Sequence, residues 1–274
     1  MADRRQRGAS SDGGDQGVAP IAASYSEYLK LPELLGLQCP LARPAVHDEL
    51  LFIIVHQAHE LWFKQLLSEL SSLIADVDAR AFEAACRTLD RMTRIAHLLF
   101  EHMKVLESMQ LEEFQRFRSA LGTASGIESE QFHRLEQLAG LSPGGPPRVS
   151  AIEAAPSASV REAFWRAVIS AQPGVEMPEA AGADLAALGR VLARVLTQPA
   201  LASERRLAEA LLAFDEAMVT WRREHFALAH QMLGGAAGTG GSSGAGYLRA
   251  TMDRRFFPEL WHWYQVRAAE APPT

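Results

Sequence analysis

Residues 46–77 read VHDELLFIIVHQAHELWFKQLLSELSSLIADV. Within them Leu50, Ile53, Ile54, Gln57, Leu61, Leu66, Leu70 and Leu73 recur at steps of three and four. That is the period of one face of an α-helix and not the alternation of a strand. The next stretch, 80–108, repeats it with Phe82, Ala85, Leu89, Met92, Ile95, Leu98, Leu99, Met103 and Leu106. Helical periodicity continues over 111–121 and 128–140, weakens over 159–171 and 182–197, and returns strongly over 203–233. Between Leu141 and Pro156 a PGGPP cluster predicts a loop, and Gly234–Gly246 is a run of Gly, Ala, Ser and one Thr. No segment shows a convincing period of two, and no repeat is found. The pattern predicts an all-α protein, a bundle of long helices with a mobile Gly-rich loop near its C-terminus.

The bulk properties narrow the function. A chain of 274 residues, 48% hydrophobic and 22% charged, has the make-up of a globular protein with a sizeable core. A net charge of -6 without a basic stripe argues against a nucleic-acid partner. The two cysteines, Cys39 and Cys86, form no CxxC pair, which removes a thiolate metal site or redox motif. Free thiols in a reducing compartment are the simpler reading, though spacing alone leaves a disulfide open. Met1–Gly17 is polar and lacks the apolar core of a signal peptide. No apolar run approaches the ~18–20 residues of a membrane span. The expectation is a cytoplasmic protein with a disordered tail over 1–20, one all-α domain over 21–266 and a short tail over 267–274.

Few residues stand out chemically. His56 lies in Phe52-Ile53-Ile54-Val55-His56-Gln57, where it is either a core histidine satisfied by a hydrogen bond or a polar group lining an apolar pocket. His225 follows Trp221-Arg222-Arg223-Glu224 on the last long helix. His230 is five residues on, which is not the i, i+4 spacing of a zinc pair, but a single helical histidine suits a heme axial ligand. Arg118, between Phe117 and the turn Gly122–Gly126, either snorkels to the surface or holds a carboxylate. The run Gly238-Thr239-Gly240-Gly241-Ser242-Ser243-Gly244 has neither the Lys-Ser/Thr of a P-loop nor a preceding strand. What it retains is the make-up of a linker or of a lid that closes over an anionic ligand.

Taken in order, these segments resemble the tryptophan 2,3-dioxygenase family. The resemblance runs through Tyr25-Ser-Glu-Tyr28-Leu29, His47–Gln57, Glu60–Lys64, Phe117-Arg118, Ala124-Ser125-Gly126, Trp221-Arg222 with His225, and Gly238–Gly244 with Tyr247-Leu248-Arg249. It fades between about Leu141 and Glu204. It implies an all-α homotetramer that binds heme b and uses O2 as co-substrate to open the indole ring of L-tryptophan. By similarity His225 would be the proximal iron ligand and His56 a distal acceptor for the indole N–H. Arg118 would pair with the substrate carboxylate, Thr239 would contact the amino-acid head group, and Ser125 would line the pocket near oxygen. Phe52 and Leu121 would form the indole slot. Tyr25, Tyr28 and Leu29 would cover the pocket of a neighbouring subunit.

The chain departs from the family pattern at Ile127 and Glu128, where Phe and Gln are usual, at Thr123 and His59, and mildly at Phe114. Ile127 and Glu128 are the sequence support for a second reading, a heme-dependent monooxygenase acting on a substituted indole or tryptophan in specialised metabolism. A third reading, a non-catalytic heme- or tryptophan-binding protein, is opposed by the presence of both His56 and Arg118.

Overall fold

A computed structural model describes residues 24–141, 158–171, 185–234 and 244–270, and every regular element among them is helical. The helices are α1 (Tyr25–Leu29), α2 (Leu31–Leu35), α3 (His47–Asp78), α4 (Phe82–Leu106), α5 (Leu111–Arg118) and α6 (Glu130–Ala139). After these come α7 (Val160–Ala171), α8 (Leu185–Leu196), α9 (Ala202–Leu233), α10 (Ala245–Thr251) and α11 (Pro258–Glu270). The all-α expectation holds. The loop expected over 141–156 and the Gly-rich segment with Thr239 fall almost wholly outside the described residues.

The chain divides into two units, Met1–Cys39 and Pro40–Thr274. In the first, Ser24 caps α1 by accepting the Glu27 N–H at 3.1 Å. Lys30, at φ 53°, turns the chain into α2. Each helix is five residues long, a single turn, which carries too little periodicity to be read from sequence. Tyr25, Tyr28 and Leu35 are strongly exposed.

In the second unit α4 packs against α3 and α9, both 32 residues long, while α7 lies on α3 and α11 on α8. The stripe read on α4 is buried as expected except at Leu98. On α3 the expectation fails in the first half. Leu50, Ile54 and Leu61 are exposed, and Val55, His59 and Phe63 turn inward instead; from Leu66 onward the two stripes coincide. The first half of α3 is apolar on more than one face, and periodicity alone does not say which face packs. Among the described residues no helix is long and apolar enough to cross a membrane.

The start of α3 sets the position of everything downstream. Val46 offers no side-chain cap, so other residues supply the polar partners. Glu113 on α5 accepts the His47 N–H at 3.2 Å, and Asp48 accepts the Gln110 N–H at 2.9 Å. The first turns of α3 and α5 are thereby tied together. Glu49, 3% exposed, accepts the Leu41 and Ala42 N–H groups and anchors the incoming chain.

Candidate active site

Phe52 and His56 lie one turn apart on α3, with ring centroids 4.0 Å apart. Phe52 also meets Phe117 at 5.4 Å and Phe114 at 6.3 Å, both on α5. The ties at the helix starts therefore carry through to an aromatic contact at the site. Arg118, half-buried, closes α5 directly after Phe117, and Leu121, packed against the core, ends the 3₁₀ turn that follows.

The His56 ring has a defined polarity. Its Nδ1 lies 2.7 Å from the Phe52 carbonyl. A carbonyl can only accept, so Nδ1 carries the proton and Nε2 presents a bare lone pair. Burial lowers the proton affinity of His56 and keeps it neutral, although its surface is open to solvent. His225 on α9 is half-buried, and its pKa falls to about 4, first through burial and then through the nearby His56 and His59.

His59 belongs to the same cluster. It is 5% exposed, with Nδ1 2.8 Å from the Val55 carbonyl, and its Nε2 accepts the Trp221 Nε1–H at 3.3 Å. Trp221 stands one turn before His225, their rings 5.6 Å apart. Phe63 and Phe132 pack on Trp221 at 5.8 and 5.2 Å. His59 is thus a satisfied buried group in direct contact with α9. Neither periodicity nor spacing announced that pairing, because the residues are 162 positions apart.

Ser125 sits at the entry to a 3₁₀ turn, Gly126–Glu128, and its N–H donates to Glu128 Oε2 at 3.0 Å. Glu128 is exposed and serves that turn. A Gln would accept the same bond, as either residue does at the third position of a capping box. The departure leaves this local bond unchanged and lends no support to a different reaction. The α6 helix that follows is tied to α3 by Gln131, whose amide donates to the Glu60 carbonyl and carboxylate at 2.9 and 2.8 Å. It is tied to α9 by Arg222, which donates to Glu136 at 3.1 Å and to the Arg254 carbonyl at 2.6 Å.

The structure therefore brings Phe52 and His56 into contact, links them to the α5 helix that ends at Arg118, and sets His225 within electrostatic reach of His56. Thr239 lies outside the described residues. Tyr25, Tyr28 and Leu29 are in the first unit, exposed.

The tryptophan 2,3-dioxygenase family model matches residues 9–143 and 186–266, both stretches that build this cluster. The chain belongs to the tryptophan 2,3-dioxygenase family. A tryptophan 2,3-dioxygenase of a Nocardioides species is 36% identical over 259 residues, covering 90% of this chain and 95% of the relative. That of Caulobacter vibrioides is 36% identical over 264 residues, covering 87% and 96%. That of Myxococcus xanthus is 35% identical over 275 residues, covering 91% and 90%. Helix α7 falls in the gap of the family match.

His56 and His225 have the chemistry a heme pocket needs. A neutral imidazole has a lone pair free for iron, and a second neutral imidazole with a bare Nε2 can accept a hydrogen bond beside it.

Proposed function

We propose that the chain is a heme-dependent tryptophan 2,3-dioxygenase. It cleaves the indole C2–C3 bond of L-tryptophan, places both atoms of O2 in the product N-formylkynurenine, and so begins tryptophan catabolism through kynurenine. The reading is carried by the family match across both stretches that hold the neutral pair His56 and His225.

Heme b, when bound, supplies the iron chemistry that lets O2 react with a closed-shell substrate. The chain supplies the rest. His225 is the iron ligand. His56 accepts the indole N–H at Nε2, which orients the ring but does not remove a proton. Phe52 and Leu121 form the flat apolar slot, and Arg118 holds the carboxylate at the other end of the substrate. Two fixed ends leave the indole little freedom to miss the reacting distance. Ser125 would line the oxygen side, and Thr239 would contact the amino-acid head group.

Residues 21–266 act as one catalytic domain in a cytoplasmic homotetramer. Tyr25, Tyr28 and Leu29 cover a neighbouring subunit's pocket, which gives their exposed apolar surface a partner.

The test is a single-turnover reaction of reduced, heme-loaded protein with L-tryptophan and ¹⁸O₂, read by the heme Soret band and product mass. Two labelled oxygens in N-formylkynurenine support the proposal. A single labelled oxygen would move the chain to the monooxygenase reading. No Soret band after heme supplementation would remove His225 and the mechanism with it.

A further inference from the structure

We infer that the hydrogen bond from Trp221 Nε1 to His59 Nε2 is a positioning contact that holds the His56-bearing and His225-bearing helices in register. His59 is thereby a positioning residue for the reaction. The inference rests on the heme reading above.

Its basis is where the bond lies. His59 is three residues beyond His56 on α3, and Trp221 is four residues before His225 on α9. Residues at these spacings share a helix face. At ~1.5 Å of rise per residue, each end of the bond stands about one turn from a functional histidine. A displacement of either partner is therefore passed to His56 or His225 with little helix between to absorb it.

Both partners are fixed. His59 Nδ1–H donates to the Val55 carbonyl at 2.8 Å, which leaves Nε2 as the acceptor that the indole N–H needs. The His102 ring on α4 stands 5.4 Å from the His59 ring. Trp221, 4% exposed, is held between Phe63 and Phe132. Its indole N–H is a donor only, so with His59 gone the bond to Nε2 is lost at a site closed to water. A histidine serving only to fill the core could stand anywhere on the buried face of α3. This one meets the indole one turn from the proposed iron ligand.

The experiment compares heme-loaded wild type with His59→Phe, His59→Gln and Trp221→Phe. Phe keeps an aromatic ring without the acceptor, and Gln returns an amide oxygen near the place of Nε2. Heme transfer to apomyoglobin, the ferrous iron–histidine stretching band and the melting temperature are measured. His59→Phe and Trp221→Phe are expected to release heme about threefold to tenfold faster, the rate equivalent of one hydrogen bond. Both should shift the iron–histidine band, and His59→Gln should return both values toward wild type. Wild-type heme release and an unmoved band in folded His59→Phe would overturn the inference, as would His59→Gln behaving like His59→Phe. Should His59→Phe fail to fold, Trp221→Phe and His59→Gln decide by the same two readouts. If wild type itself takes up no heme, the heme reading fails first and this inference goes with it.

Discussion

Arg161 and Glu259 meet in a two-pronged buried ion pair, Nε to Oε1 at 2.9 Å and Nη2 to Oε2 at 2.7 Å. The Glu259 side chain is wholly buried and also accepts the Trp165 Nε1–H at 2.8 Å. Helix α7 lies in the gap of the family match, yet through this pair it is bonded to the start of α11. Arg161→Ala strands a buried carboxylate, which typically costs about 3–5 kcal/mol. Urea unfolding should show a loss of that size, and a loss below about 1 kcal/mol would mean that Glu259 finds water or another partner. Gly140→Ala should also destabilise, because a Cβ there would meet Arg161 Cβ at 2.4 Å and the backbone sits at φ +127°.

His225→Ala is expected to purify without a Soret band while keeping its helical circular dichroism. The side chain is half-buried and packs on Trp221 alone among the described ring contacts, so its removal leaves the core of α9 intact. Full heme occupancy in this variant would show that another residue ligates the iron.

Arg118→Ala is expected to raise KM for L-tryptophan about tenfold to a hundredfold with a smaller change in kcat. A charge-assisted bond to a carboxylate is worth ~1.5–3 kcal/mol. Binding of tryptamine, which has no carboxylate, should be little altered. Equal losses for the two ligands would assign Arg118 to the framework of the α5 turn instead.

The longest helices are the most legible in the sequence. α3, α4 and α9 each run many turns, so their periods stand out from chance. The five-residue α1 and α2 and the seven-residue α10 repeat too little to be read, while α11, thirteen residues long, has apolar residues that keep to no single stripe. On α3 the apolar residues Leu50, Ile54 and Leu61 stay exposed, because apolarity marks a surface that can be buried without saying what will cover it. At the site, His56 and His225 were legible as polar interruptions in apolar helices. The tautomer of His56 was not, since it depends on a carbonyl that helix geometry brings to 2.7 Å. His59 was visible only as a departure from a family pattern; its bond to Trp221 exists only once α3 and α9 are folded together.

His59 also gives the protein a calculable acid lability. Burial first, then the fields of His56 and His102, lowers its pKa from 6.5 to about 4 in the folded chain. Between those values the unfolded chain takes up a proton that the folded chain refuses. Stability is therefore full above about pH 6.5, falls as the pH drops, and has lost this contribution below about 4. A shift of that size corresponds to at most about 3 kcal/mol, less whatever the fold recovers by local rearrangement. His56, His102 and His225 shift in the same direction, so several histidines contribute to the wild-type curve. His59→Phe removes one of them. Its unfolding free energy, measured in urea from pH 7.5 to 4, should fall less steeply than that of wild type, by about one proton near pH 5. Parallel curves would mean that His59 takes up its proton at the same pH in the folded and unfolded chain, so that burial does not hold it neutral for the Trp221 N–H below about pH 6.5.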